Sequence, residues 1–299
     1  HAGGGVVKSG IKLAEYPFIP RFMDSNGHRL AYLDEGKGPV VVMLHGNPSW
    51  SYLYRKVVRQ LQGRYRCIVP DHLGCGFSDK PQEASYSLDM HIHNLEALLQ
   101  GLGIDRCALI LHDWGGAIGM GWAVRHPAQV AAIVACNTAA FASTRMPWRI
   151  AMCRWPIFGP LALRGLNAFA QAAIFMAVSK KMRPKVAQGF LAPYDSWENR
   201  IALLRFVQDI PMNKEHPSWL TLAAIEAGLP LFAATPMLLC WGGADFCFDR
   251  HFYDEWRCRF PQAEAHYFTD AGHYLFEDAL EDIAPLISRF LEHNLQVTP

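Results

Sequence analysis

Seven short β-rich runs, RLAYLDEG, PVVVMLHG, RCIVPD, CALILHD, VAAIVACN, PMLLCWGG and AEAHYF, recur along the chain with helical segments between them. Several are apolar at consecutive positions, which a strand tolerates when both faces of its sheet are covered. Continuous apolar strands joined through crossover helices predict a mostly parallel, doubly wound α/β sheet. The spacing is regular up to Asn137 and resumes at Pro236, and the roughly hundred residues between them carry helical periodicity without a convincing strand. The expected organisation is a core domain at 11–138 and 231–299 with a helical cap inserted at 139–230. At 299 residues, 51% of them hydrophobic, one such domain can bury a large core.

Charge and cysteine usage narrow the function. A formal net charge of +1 without a Lys/Arg run offers no phosphate-tracking surface, so nucleic acid is not an expected partner. The same charge says little about self-association, and an oligomer stays open. Eight cysteines lie scattered without a CxxC pair, several inside apolar runs where a thiol behaves as a small hydrophobe. A reduced, cytoplasmic protein is the expectation. The N-terminal HAGGGVVKSG has no apolar core of signal-peptide length, so no secretion signal is expected there. The longest apolar stretch, Leu161 to Val178, is interrupted by Arg164, Asn167 and Gln171 and falls short of the ~20 clean residues that span a bilayer. It reads as a buried or pocket-lining helix. Lys180, Lys181 and Arg183 cluster after it without forming a continuous basic face, which argues against membrane contact. A lid of this kind over a sheet's carboxyl edge builds a closed apolar cavity, and the expected ligand is a small apolar substrate.

CALILHDWGGAIGMGWAVRH is a buried strand, a sharp turn and a helix that begins with two glycines, the context of a nucleophile elbow. The lifted residue is Asp113, and on this segment alone a helix cap and a nucleophile are equally good readings of it. Its partners favour the nucleophile. TDAGHYLFED puts His273 in a turn after the last strand, and LLCWGGAD puts Asp245 at the carboxyl end of the strand before it. The order nucleophile, acid, histidine is that of α/β-hydrolases. Asp249 lies too far beyond the strand end to compete for the role of acid, and Asp270 lies too near His273. After VAAIVACNT the candidate position holds Asn137, which cannot carry the charge that stabilises an imidazolium.

A carboxylate is already ionised at neutral pH and needs no base to activate it. His273 is then left to deprotonate the water that hydrolyses an ester on Asp113, with Asp245 fixing its tautomer. Asn47 in LHGNPSW can donate its side-chain amide into the cavity, and Trp114 offers an indole N–H. Two neutral donors beside an apolar pocket suit a halide or another weakly hydrated anion. Backbone N–H groups near Asn47 and Trp114 could form an oxyanion hole. DHLGCGFSDKP lacks the lysine placement of a phosphate loop and reads as structural. With nucleophile, base, acid and anion donors all protein groups, neither metal nor organic cofactor is expected.

HGNPSWSYLYR, PDHLGCGFSDKP, HDWGGAIG, the acid of GGAD and the histidine of DAGH together resemble the haloalkane dehalogenases of the α/β-hydrolase fold, over Leu30 to about Leu291. Asp113, His273 and Asp245 with Asn47 and Trp114 look like the branch called subfamily III. In the cap, NTAAF, MPW, LNAF, APYDSWENRI and FVQDIP look more like the β-lactone decarboxylases of bacterial olefin biosynthesis. The resemblance implies first a dehalogenase: Asp113 displaces halide, Asn47 and Trp114 hold it, and His273 with Asp245 completes hydrolysis to an alcohol. It implies as the alternative a long-chain cis-β-lactone opened to an alkene and carbon dioxide by the same residues. Epoxide hydrolysis would want two cap tyrosines, and between Phe141 and Pro230 there is only Tyr194. A non-catalytic binding protein would be expected to have lost a member of the set, and none is missing.

Overall fold

The computed structural model describes residues 13–295, so the HAGGGVVKSG segment and the outermost ends of the expected core, 11–12 and 296–299, lie outside the described residues. Eight strands form one sheet: β1 (Arg21–Ser25), β2 (His28–Glu35), β3 (Val40–Leu44), β4 (Arg66–Pro70), β5 (Cys107–Asp113), β6 (Val130–Thr138), β7 (Met237–Gly242) and β8 (Glu264–Phe268). Their order is β1-β2-β4-β3-β5-β6-β7-β8, antiparallel at β1–β2 and β2–β4 and parallel from β4 onward. All seven expected runs are strands, and the sheet is mostly parallel and doubly wound. The strand missed from sequence is β1. It lies at the sheet edge, half exposed, and pairs with β2 through Asn26 and Gly27 at φ 53° and 78°. An Asn-Gly pair at positive φ is a two-residue hairpin signal, and RFMDS has no continuous apolar run to announce it.

β3 connects outward to β4, whereas β5 returns to β3's other side. That reversal opens a crevice at the carboxyl ends of β3 and β5, where doubly wound sheets bind ligands. Every residue of β5 is buried.

Between Thr138 and Met237 the described chain is helical only: Trp148–Met152, a π-helical turn Leu161–Gly165, Ala168–Met176, Pro184–Leu191, Ile201–Gln208 and Trp219–Gly228 among its elements. Ala162, Leu163, Leu204 and Val207 make a small apolar cluster of their own, apart from the main core. The stretch Leu161 to Val178, expected as a buried or pocket-lining helix, lines the larger cavity with Ala162, Phe169, Ala173 and Met176 but is two helical segments and not one. It breaks at Asn167, which sits in the left-handed region at φ 51°, and it leaves Leu161, Leu166, Phe175 and Met176 exposed. No helix among the described residues is long and apolar enough to cross a membrane.

Candidate active site

β5 ends on Asp113 at φ 52° and ψ −128°, and helix Trp114–Arg125 begins at the next residue. A non-glycine residue at positive φ costs about 1–3 kcal/mol and persists only where its surroundings hold it. Here they do so closely. Oδ1 of Asp113 accepts from the backbone N–H of Trp114 at 2.7 Å and of Asn47 at 2.8 Å. A Cβ on Gly46 would lie 1.9 Å from that same oxygen, one on Gly115 2.1 Å from the Leu44 carbonyl, and one on Gly116 1.8 Å from Thr138 Oγ1. The glycines of HGN and WGG are there because the two strand ends and the helix approach too closely for a side chain. The bond from Trp114 N is the helix-cap contact, and it uses one oxygen only. Oδ2 is 3.3 Å from Nε2 of His273.

His273 stands in the turn after β8 and presents Nδ1 to Oδ2 of Asp245 at 2.6 Å. Asp245 Oδ1 accepts from Cys247 N at 2.7 Å, and its Oδ2 also accepts from Asn137 Nδ2 at 3.0 Å. Asn137 in turn bridges to β7, its Nδ2 donating to the Gly242 carbonyl and its Oδ1 accepting from Gly242 N. Sequence reasoning dismissed Asn137 as an acid and missed it as the acid's holder. The three ionisable groups are all buried. Burial opposes the charge on His273, yet the Asp245 carboxylate, then the hydrogen bonds to Asp113 and Asp245, raise it to about 10. Burial likewise opposes ionisation of both carboxyls, and the hydrogen bond and charge of His273 hold Asp113 and Asp245 below the usual range. Both shifts favour an imidazolium between two carboxylates.

The sequence also missed His112, one residue before Asp113. Wholly buried and pushed down to about 4 by that burial, it is neutral, and its Nε2–H donates to the His273 carbonyl at 2.7 Å. A histidine inside an otherwise apolar strand next to the elbow was the available signal. Two apolar cavities meet at Asp113. The smaller, about 160 Å³, is lined by Trp114, Ala139, Phe141, Val207 and Leu222; the larger, about 330 Å³, by His273, Phe158, Ala173 and Met176. Asn47, Asp113, Ile150, Phe169 and Cys247 line both. Asn47 is buried, and its Nδ2 donates one hydrogen to the Leu203 carbonyl at 3.2 Å, leaving the second N–H of the amide.

The other candidates stand apart. Asp249 caps helix Arg250–Arg259 and pairs with Arg145, and Asp270 is exposed. Tyr194 donates its hydroxyl to the Ser49 carbonyl and lines neither cavity. In DHLGCGFSDKP, Asp71 accepts from Ser51 N and Phe77 N, a loop-building role. Among the described residues no group of three or more His, Cys, Asp or Glu could hold a metal ion.

Residues 39–280 match the α/β-hydrolase fold family. A cis-3-alkyl-4-alkyloxetan-2-one decarboxylase of Xanthomonas campestris is 47% identical over 93% of this chain and 98% of its own length. Haloalkane dehalogenase 2 of Mycobacterium bovis is 33% identical over 92% and 96%. Among solved structures, the haloalkane dehalogenase DatA from Agrobacterium tumefaciens superposes with a TM-score of 0.82 at 26% identity, covering 92% of this chain and 96% of that one. The chain is therefore a member of the α/β-hydrolase fold family, of the haloalkane-dehalogenase-like kind to which the oxetanone decarboxylases are also related.

Proposed function

We propose that the protein decarboxylates cis-3-alkyl-4-alkyloxetan-2-ones, opening the lactone and releasing an alkene and carbon dioxide. The observation that carries this reading is the pair of apolar cavities that meet at Asp113. A 3,4-dialkyl oxetanone has alkyl arms on two adjacent ring carbons and needs an apolar compartment for each, whereas a simple haloalkane needs one. The higher identity to the decarboxylase than to the dehalogenase supports the same choice.

In this reading Oδ2 of Asp113 attacks ring carbon 4 from the face opposite the ring oxygen. The bond from carbon 4 to the ring oxygen breaks as the new ester bond forms, and the freed carboxylate stays on carbon 3. The Trp114 indole N–H and the spare amide N–H of Asn47 hold it, as neutral donors beside an apolar pocket can. The bond from carbon 3 to the carboxylate then breaks, its electron pair becomes the second bond between carbons 3 and 4, and Asp113 leaves as a carboxylate. Carbon dioxide and the alkene are the only products, and no water is consumed. Inversion at carbon 4 followed by departure from opposite faces keeps cis arms cis. His273, an imidazolium at rest, favours the departing Asp113 carboxylate, as do the two N–H donors on Oδ1.

Hydrolysis of a haloalkane is the second reading, favoured by the same two neutral donors. Once Asp113 is esterified it no longer holds a charge against His273, which can then drop low enough to take a proton from water. The two routes separate on substrate and on oxygen. A cis-3,4-dialkyl oxetanone and 1-bromobutane are supplied separately, and alkene and bromide are measured, in water labelled with heavy oxygen. The lactone route predicts alkene and an unlabelled Asp113 after many turnovers; ester hydrolysis puts label on Asp113. Bromide release with no alkene from the lactone would sink the proposal.

A further inference from the structure

The roof of the site presents a surface that the chemistry beneath it does not use. From Ala139 to Tyr194 there are eight Lys and Arg residues and no Asp or Glu, although the whole chain carries only +1. Over the same stretch Trp148, Trp155, Ile157, Phe158, Leu166 and Phe175 are exposed, Ile157 and Leu166 at 77%. Exposed large apolar side chains are ordinarily scattered, and a concentration of them marks an interaction surface. The cavity gathers part of this set at one place. Trp148, Phe158 and Met176 are exposed and also line the larger cavity, so its mouth opens through them. The Trp155 ring stands edge-on to Phe158 at 6.3 Å, and the Arg149 guanidinium lies over the Trp148 ring at 5.3 Å. Arg145 and Arg183 are paired with Asp249 and Glu15. Arg149, Lys181 and Lys185 are exposed and have no acidic partner among the described residues.

We propose that this face of the cap docks on an anionic lipid surface, with the larger cavity opening onto the acyl-chain region. Exposed Trp and Phe beside Lys and Arg, on a segment that itself carries no acidic residue, are the chemistry of an element lying in a bilayer interface. The unpaired cations Arg149, Lys181 and Lys185 decide the occupant. A second copy docked face to face would bring its own unpaired Arg149, Lys181 and Lys185 against the first copy's, whereas anionic headgroups complement them. Nucleic acid would meet the cations but would gain nothing from Ile157 and Leu166. Read from sequence alone, the basic cluster after Leu161–Val178 argued against membrane contact, because spacing does not show that Trp148, Arg149 and Phe158 share a cavity wall with Met176 near the end of that stretch. An apolar substrate held in a bilayer could then enter the cavity without crossing water.

The test is co-flotation of the full chain with vesicles of phosphatidylcholine alone or mixed with phosphatidylglycerol. Flotation should require the anionic lipid and fall as salt is raised. Lys181→Gln with Lys185→Gln should weaken partitioning about fivefold per charge removed. Trp155→Ser with Phe175→Ser, positions outside both cavities, should lower it at least as far, while Phe22→Ser, exposed on the edge strand β1, should float as wild type. Thermal melts check that each variant folds, and if the aromatic pair does not, the lysine pair carries the test. The proposal is overturned if the wild type does not float with anionic vesicles at low salt, or floats equally on phosphatidylcholine alone. It is also overturned if, without flotation, the wild type is a dimer broken by the aromatic pair, or binds duplex DNA.

Discussion

Asp113, Asp245 and His273 stand at strand ends where each is tied by hydrogen bonds from other elements, whereas the roof above them is short helical segments that offer apolar side chains. Asp113 and Asp245 between them accept from Asn47, Trp114, Cys247 and Asn137, and His112 fixes the backbone of His273. The roof helices nearest the cavity, Trp148–Met152 and Ala168–Met176, meet the substrate space through Ile150, Ala173 and Met176. Directional bonds hold reacting atoms to within a fraction of an ångström, which catalysis needs. Packing contacts specify volume and shape, which is enough to sort one alkyl chain from another. Under the proposed function, the comparison assigns the reaction to the floor and the choice of substrate to the roof.

The largest effect should come from the floor. Asp113→Ala removes the proposed nucleophile, and alkene formation from a cis-dialkyl oxetanone should fall by about 10⁴-fold or more in kcat. A variant that kept even a tenth of the activity would remove the carboxylate from the mechanism. Asp245→Asn keeps the shape but loses the charge opposite His273, and kcat should drop about 10²–10⁴-fold. The pH dependence of that variant sharpens the point, because His273 loses the first of the groups that raise it and its transition should move below the wild type's.

The roof should respond differently. Ala173→Phe fills the larger cavity and Ala139→Leu the smaller, so each should lower kcat/KM about 10–200-fold for oxetanones lengthened on one arm, with short-armed substrates little changed. Equal losses for both arms from both variants would mean that the cavities do not take separate arms, and the contrast between floor and roof would lose its meaning.

The smallest effect is on stability. His273 is raised to about 10, so its contribution is complete below the ordinary 6.5 and is lost as pH climbs through about 10. Asp113 and Asp245 are lowered, so theirs is complete above the ordinary 3.8 and is lost as pH falls through their depressed values. The melting temperature of wild type relative to His273→Phe should therefore be highest between 3.8 and 6.5 and decline on either side. A difference that stays flat up to pH 10 would break the ion triad.

Local pattern determined much of this protein. Consecutive apolar positions in CALILHD and VAAIVACN specify strands covered on both faces, and the glycines after Asp113 specify a turn tight enough to lift it. The order Asp113, Asp245, His273 pointed to one site before any distance was known. Tertiary structure decided the rest. Asn137 became the residue that holds Asp245 because β6 and β7 are neighbours, a fact absent from the spacing of either segment. His112 gained its role because the His273 turn folds over the end of β5. The two cavities, and the cap surface that opens one of them, arise where segments distant in sequence share a wall. Periodicity reports which face of an element is apolar; only packing decides what that face encloses.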